Sequence, residues 1–297
     1  MPDPYPVVEI QEEWLLDEPE EEMGSKKKFW YREEENGSDW LFKFPRPNTG
    51  EHWAEKIAAE VANLLGIPHA AVELAQFGND RGSTSESFTP KGYELVHGNQ
   101  LLERVVFDYN PDLTFGQSDH TLTNILAVME RAFVADEAKK LAMLRVAEYF
   151  VLDALIGNTD RHHENWGIVR RRDGDQWRGG IAPSFDHASS LGRELRDERR
   201  RRLLGESEVG RYVERGRGAV FWSGDERRGP SPLALVRHAL HRYPDLFSPA
   251  LAKLDGLKVS SITRTVDRVP EDWMSAPERE FALEVMNSSL EKLRVMD

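Results

Sequence analysis

The sequence predicts an α+β protein of two lobes, a small β-rich N-terminal lobe and a larger α-helical C-terminal lobe. Strand-like segments and a single helix fill residues 24–98, whereas helical periodicity dominates residues 99–297. Neither an internal repeat nor a low-complexity linker separates the two parts. A chain of 297 residues is long enough to bury a sizeable core, so we expect one bilobal unit.

The composition is that of a globular protein, with 39% hydrophobic and 31% charged residues. A net charge of -13 argues against a protein that coats nucleic acid, and we expect no direct DNA binding. The absence of cysteine excludes disulfides and thiolate metal sites and fits a reducing compartment. Because the sequence shows neither a membrane-length apolar run nor a signal-peptide pattern, we expect a cytoplasmic protein without membrane contact.

The N-terminal lobe begins after residues 1–23, an acidic segment without Lys or Arg in which "YPVVEI" could form a short strand. "KKKFWYREEENGSDWLFKFP" predicts a hairpin, because aromatic-rich strands flank the turn sequence Asn36-Gly37. "EHWAEKIAAEVANLLG" predicts a helix with one apolar face, ended by Gly66 and Pro68. Three strands are predicted next, in "AAVELAQF", "STSESF" and "GYELV".

The C-terminal lobe is predicted to be mostly helical and to meet the first lobe near residues 94–105. "TLTNILAVMERAF" and "DEAKKLAMLRVAEYFVLDALIG" carry apolar residues at helical spacing, with Asp136 as N-cap of the second helix and Gly157 at its end. A second hairpin follows in "WGIVRR" and "WRGGIAPSFD", joined by "RDGDQ". Short helices are predicted after residue 190, and "APEREFALEVMNSSLEKLRV" closes the chain.

The segment "DALIGNTDRHHENWGIV" places many polar side chains between an apolar helix and an apolar strand. Asp160 and Asn165 are separated by four residues, and Asp186 follows the next hairpin. The catalytic loop of protein kinases has the same spacing, with a carboxylate that accepts the hydroxyl proton and oxygen ligands for Mg²⁺. Asn165 and Asp186 offer the hard oxygen ligands that magnesium prefers. The spacing therefore indicates phosphoryl transfer.

The N-terminal lobe should supply the rest of such a site. Lys43 lies in the apolar strand "WLFKFP", where burial of a lysine is costly unless it meets an anionic partner and a ligand. Glu55 on the following helix is the expected partner, and Glu60 is the fallback. Gly24 and Ser25 precede the hairpin, in a loop that could lay backbone N–H groups over phosphates.

These segments resemble the HipA-like Ser/Thr kinases, toxin kinases of bacterial toxin–antitoxin systems that have a bilobal protein-kinase-like fold. "LIGNTDRHHENWGIV" with "GGIAPSFDHASSLG" is similar to the family signature. "GSKKKFWYREEENGSDWLFKFP" and "AEKIAAEVANLLGIP" resemble its phosphate loop, ATP-lysine strand and following helix. The resemblance spans roughly residues 24–192. Longer family members carry an additional N-terminal subdomain, so this chain looks like a compact form.

The resemblance implies ATP and Mg²⁺ as cofactors and assigns roles to the polar residues. It makes Asp160 the catalytic base, Asn165 and Asp186 the Mg²⁺ ligands, and Lys43 the contact to the ATP phosphates.

The resemblance also assigns residues around these four. Glu94 and Val96 in "GYELVHGN" match the hinge whose backbone meets adenine. His162 matches a loop histidine that orients the catalytic loop. Ser25 matches the region in which family members carry a regulatory autophosphorylated serine.

The implied function is a Mg-ATP-dependent protein Ser/Thr kinase that phosphorylates a protein of translation, such as an aminoacyl-tRNA synthetase, and is restrained by an antitoxin partner. A lipid or small-molecule kinase on the same fold and a nucleotide-binding pseudokinase remain alternatives. The arginine-dense segment 192–218 carries interspersed acids. It either grips an acidic partner or a nucleic-acid-bound substrate, or forms a solvated face of salt bridges.

Overall fold

The computed structural model describes residues 2–16, 27–33 and 37–296. The predicted cofactor-binding residues Gly24 and Ser25 lie outside the described residues, as does Asn36 of the predicted turn. Gly37 has a left-handed φ of 63°, which glycine adopts without strain. Because Arg32 pairs with Asp39, the connection is longer than a two-residue turn.

The N-terminal lobe is built on a five-stranded sheet with the order β1-β4-β5-β3-β2. Its strands are β1 Val7–Ile10, β2 Lys28–Arg32, β3 Asp39–Lys43, β4 Val72–Phe77 and β5 Asp80–Glu86. β2 and β3 form the predicted hairpin, and only β1 pairs in parallel, with β4. The acidic segment 1–23 thus contributes an edge strand, and the N–H of Tyr5 donates to the carbonyl of Arg268 in the other lobe.

Helix α1, Glu51–Leu64, covers one face of this sheet. Trp53, Ile57 and Val61 recur at helical spacing and are fully buried, which stabilises the lobe by roughly 1.5–3 kcal/mol for each large apolar side chain. The opposite face carries a separate aromatic cluster, which includes Phe29 and Phe42.

A second sheet lies where the lobes meet, in the order β6-β7-β8. It consists of β6 Glu94–His97, β7 Gly167–Asp173 and β8 Gln176–Ile181. Helix α2, Gly98–Glu103, begins directly after β6. Because β6 pairs with β7, the segment that joins the lobes is hydrogen-bonded to the strand that follows the polar loop.

The C-terminal lobe packs its helices around α4. They are α3 Leu122–Ala132, α4 Asp136–Ile156, α5 Asp197–Gly205, α6 Val209–Arg215, α7 Pro232–Arg242, α8 Pro244–Ala252, α9 Val259–Asp267 and α10 Ala276–Arg294. The last 11 residues of α4, from Val146 to Ile156, are buried on all sides. The predicted N-cap of α4 was wrong by one residue: Ala135 occupies that position, and Asp136 lies in the first turn, where a carboxylate stabilises the helix dipole.

The order of strands and helices matches the predicted α+β arrangement of a β-rich lobe followed by a helical one. The helices and the inner face of the first sheet share one continuous core, so the lobes are coupled rather than independent. Within residues 2–16, 27–33 and 37–296, every helix is too short or too polar to cross a membrane.

Candidate active site

The polar loop 158–166 is fixed at both ends by buried elements. Helix α4 stops at Gly157, whose φ of 66° is left-handed, a conformation that glycine adopts most easily at a helix end. Strand β7 begins at Gly167, where an added Cβ would lie 2.5 Å from the carbonyl oxygen of Val96. This glycine therefore permits the close approach of the loop to the strand that joins the lobes.

Arg161 binds together three segments beneath this loop. Its guanidinium donates to both carboxylate oxygens of Asp153 on α4, at 2.8 and 2.7 Å. It also donates to the carbonyls of Asn165 at 2.8 Å and Phe185 at 3.2 Å, and to Ser184 Oγ at 3.0 Å. Burial lowers the pKa of Arg161, but the Asp153 carboxylate outweighs that cost and raises the pKa overall. The loop and the segment leading to residue 186 are thus held to one helix end.

Asp160 is held in place by three neighbours. Its backbone N–H donates to Asn158 Oδ1 at 3.1 Å, and its carbonyl accepts from Asn165 Nδ2 at 2.7 Å. Ser189 Oγ donates to Asp160 Oδ2 at 3.0 Å, while Oδ1 accepts no hydrogen bond from any described residue. One oxygen of the carboxylate is therefore oriented by the protein, and the other is available to a hydroxyl group.

Asp186 lies beyond β8 and meets Lys43 from the other lobe. Lys43 Nζ is 3.4 Å from Asp186 Oδ1. Asp186 has a φ of 55°, a left-handed conformation that is uncommon outside glycine but is tolerated by aspartate. Burial lowers the pKa of Lys43, but the carboxylates of Asp186 and Glu55 outweigh it, so the pKa is raised and the lysine is charged.

The ion pair of Lys43 differs from the expected one. Glu55 lies close enough to contribute to the field at Lys43, but its Oε1 accepts from the backbone N–H of His187 at 2.9 Å. Burial raises the pKa of Glu55, and the Lys43 cation outweighs this, so the pKa lies below its usual range. Glu60, the fallback partner, binds Lys56 at 2.6 Å instead. The alternation of residues along a strand predicts which face of the sheet Lys43 occupies. It does not predict which segment of the other lobe packs against that face.

The remaining predicted residues lie at the edges of this arrangement. Glu94 and Val96 are in β6, where Val96 is buried opposite Ile168 and the Glu94 side chain binds Arg170 at 2.7 Å. His162 Nδ1 accepts from the backbone N–H of Glu164 at 3.3 Å. The His162 ring thus contacts the backbone of the loop at Glu164.

A buried layer of side chains beneath the loop was not predicted from the sequence. His163 Nδ1 lies 2.6 Å from the hydroxyl of Tyr109, and Trp166 Nε1 donates to His120 Nε2 at 3.0 Å. Burial lowers the pKa of His120 to about 3 and that of His163 to about 4, so both rings are neutral. Tyr109 and His120 come from outside the motif, so no spacing rule could have linked them to it. The motif contains two adjacent histidines, but the sequence did not show that His163 is buried whereas His162 is partly exposed.

The donor set suits a cation bound jointly with a polyphosphate. Because Asn165 Nδ2 is committed to the carbonyl of Asp160, its Oδ1 is left to face a ligand, and Asp186 supplies carboxylate oxygens. Two protein oxygens, completed by phosphate oxygens and water, are typical of Mg²⁺ sites. In the described part of the chain, no group of three or more His, Asp or Glu side chains forms a metal cage. The residues therefore fit a magnesium–nucleotide complex rather than a protein-only metal site.

The fold and the site together define a two-lobed protein of the kinase-like class. A solved structure of the Helicobacter pylori proinflammatory kinase CtkA aligns with a TM-score of 0.76 at 20% identity, covering 97% of each chain. The structure of HipA from Shewanella oneidensis MR-1, in a complex with HipB and its operator DNA, aligns with a TM-score of 0.60 at 13% identity, covering 96% of this chain and 66% of that one. These likenesses confirm the predicted bilobal fold.

The HipA-like C-terminal domain family matches residues 21–215, well over half of the chain. The chain belongs to this family, which confirms the resemblance seen in the sequence. The serine/threonine-protein kinase CtkA of Helicobacter pylori (strain J99) is 28% identical over 177 residues, which cover 57% of this chain. The match spans 50% of the length of that relative. The homology supports a kinase-like function.

Proposed function

We propose that this protein is a Mg-ATP-dependent Ser/Thr protein kinase. The observation that carries the proposal is the approach of Lys43 to Asp186, 3.4 Å apart and contributed by different lobes. A largely buried cation beside a carboxylate that can bind a metal is the arrangement that neutralises charge on transferring phosphates. Glu55 supports the charge on Lys43 from within α1. Gly24 and Ser25 belong to the proposed phosphate loop, with Ser25 as a site of autophosphorylation.

Asp160 is proposed as the catalytic base. Ser189 fixes one of its oxygens, so the other points to an acceptor hydroxyl with a single orientation. In the transfer step the acceptor oxygen bonds to the γ-phosphorus, the bond to the β–γ bridging oxygen breaks, and Asp160 takes the hydroxyl proton. His162 is proposed to hold the loop conformation through its bond with the backbone of Glu164.

Asn165 and Asp186 are proposed to bind Mg²⁺, which when bound neutralises charge on the phosphate oxygens. The edge of β6 that β7 does not use is proposed to receive adenine at Glu94 and Val96. The Val96 side chain is buried in the core, so its backbone groups are proposed to make the contact.

The acceptor is proposed to be a protein of translation, such as an aminoacyl-tRNA synthetase, and the activity to be restrained by an antitoxin in the cytoplasm. The HipA structure that aligns with this chain contains HipB and operator DNA, which motivates the search for such a partner. We do not propose a membrane or DNA ligand for this chain. Comparing phosphoproteomes of cells that express active and Asp160→Asn protein identifies the acceptor, and parallel lipid and metabolite assays test the small-molecule alternative.

The central test is transfer of labelled γ-phosphate by purified Asp160→Asn protein. We expect label transfer to fall by at least about 100-fold, because the base contributes on the order of 10²–10⁴ in rate. ATP binding, measured by calorimetry, should persist, which distinguishes loss of chemistry from loss of the site. Asp175→Asn, in the exposed turn between β7 and β8, is the matched control. Wild-type label transfer by Asp160→Asn would overturn the proposal.

A further inference from the structure

A cavity of about 730 Å³ opens beside Asp160. Its walls come from the end of the polar loop, the segment after Asp186, and helices α5 and α6. Asp160 and Ser189 lie in its wall, whereas Lys43, Asn165 and Asp186 do not line it. The cavity is therefore open to Asp160, the proposed base, and separate from the residues proposed to bind nucleotide.

The charge of this cavity is opposite to that of the whole protein. Six arginines and three carboxylates line it, in a chain of net charge -13. The arginines are Arg46, Arg193, Arg199, Arg211, Arg215 and Arg217. A concentration of one sign inside a concave surface attracts ligands of the other sign.

Part of this positive charge is already neutralised by the protein. Arg46 and Arg193 both bind Glu51, at the start of α1. Arg211 binds Glu208 at 2.9 Å. The remaining carboxylate of the cavity wall, Glu194, accepts a hydrogen bond from the hydroxyl of Tyr212 at 2.7 Å.

Arg199, Arg215 and Arg217 remain, and all three are exposed. Their side chains have no ion-pair partner among the described residues. Three guanidinium groups thus face the cavity with their full hydrogen-bonding capacity.

The arginines of the segment 192–218 differ in pairing and in position. Arginines of α5 that do not line the cavity are paired within the fold: Arg200 with Asp197 at 3.0 Å, and Arg202 with Glu206 at 4.0 Å. Arg196, which is exposed and lies outside the cavity, also lacks an ion-pair partner among the described residues, so pairing alone does not identify a site. What distinguishes Arg199, Arg215 and Arg217 is that they share one concave surface with Asp160.

We propose that this cavity is the acceptor site and that it selects a polypeptide segment whose phosphorylatable Ser or Thr is flanked by Asp or Glu. The proposal rests on the proposed kinase function. The planar guanidinium fork matches a carboxylate in a bidentate geometry, and each such bond is stronger than a neutral one. A short acidic segment fits a positive region confined to one cavity, whereas the negative charge elsewhere on the chain repels an extended polyanion.

The test uses degenerate peptide pools with a central Ser or Thr and fixed flanking residues. One pool carries Asp and Glu, the second the isosteric Asn and Gln, and the third Lys and Arg. Labelled γ-phosphate transfer by the full chain gives kcat/KM for each pool. We expect the acidic pool to exceed the amide pool by about tenfold, the factor that one charge-assisted bond of about 1.4 kcal/mol supplies.

The ratio of acidic to amide pool is then measured in the triple variant Arg199→Gln, Arg215→Gln, Arg217→Gln. We expect it to fall to about one, whereas damage to the fold would lower kcat/KM for both pools and leave the ratio intact. Arg201→Gln with Arg202→Gln, on the same helix but outside the cavity, should keep the wild-type ratio.

Different failures overturn different claims. Equal labelling of all pools, or preference for Lys and Arg, refutes the acceptor site while the kinase function stands. The absence of any label transfer that depends on Asp160, to peptide or to the chain itself, refutes the kinase function and the acceptor site with it. Competition by RNA that disappears in the triple variant, with no preference among the pools, assigns the cavity to nucleic acid and overturns the proposal.

Discussion

Replacing Arg161 by methionine should destabilise the protein more than any exposed charge change. The Arg161 and Asp153 side chains are 4% and 3% exposed, and removing one partner of a buried pair costs about 3–5 kcal/mol. The carbonyls of Asn165 and Phe185 also lose their charged donor, at about 1 kcal/mol each. The total, roughly 5 kcal/mol or more, is comparable with the whole stability of a typical domain.

Equilibrium urea unfolding followed by tryptophan fluorescence measures this loss. Asp153→Asn with Arg161→Met completes a double-mutant cycle, in which the double variant should be more stable than the sum of the single changes by about 2 kcal/mol or more. The exposed pair of Arg178 with Asp173, 2.6 Å apart, supplies the control, because Arg178→Met should cost less than about 1 kcal/mol. An additive cycle, or equal costs for the buried and exposed arginines, would refute the reasoning.

Three further results follow from the structure. Lys43→Met should lower kcat/KM for ATP by about 10²–10³, since one preorganised charge near the phosphates is removed, and a change below threefold would contradict this. His120 has a folded-state pKa near 3, below its unfolded value of about 6.5. Its contribution to the free energy of unfolding is therefore complete above pH 6.5 and is lost as the pH falls. The loss at pH 5 is roughly 2 kcal/mol. Urea midpoints between pH 5 and 8 test this, and a flat profile would oppose it. Gly98→Ala should cost about 1–3 kcal/mol because its Cβ would lie 2.5 Å from the His163 carbonyl, whereas Gly180→Ala, in open space, should be nearly neutral in the same assay.

Features that depend on residues close together in the chain could be predicted from the sequence. The hairpin at Gly37 and the stop at Gly157 depend on turn and cap chemistry within a few residues, and both have the expected left-handed φ. The spacing of Asp160, Asn165 and Asp186 could likewise be recognised, because a loop and a hairpin of fixed length carry them.

Contacts between segments far apart in the chain could not be predicted from the sequence. Lys43 was expected to meet Glu55, but the nearest carboxylate among the described residues is Asp186, 143 positions further along the chain. The cost of burying an ion depends on what the fold places opposite it, and no local pattern encodes that. The same holds for His120, which lies beneath the loop although it precedes the motif by a whole helix pair.

The sequence by itself determined the types and order of the elements and the family to which the chain belongs, because periodicity, capping and motif spacing are local properties. Only the tertiary structure decided which charges are compensated. Arg161 is satisfied in the interior, while Arg199 faces a cavity without an ion-pair partner among the described residues. Both are arginines among polar neighbours in the sequence, and the difference arises from burial and from groups brought together by folding.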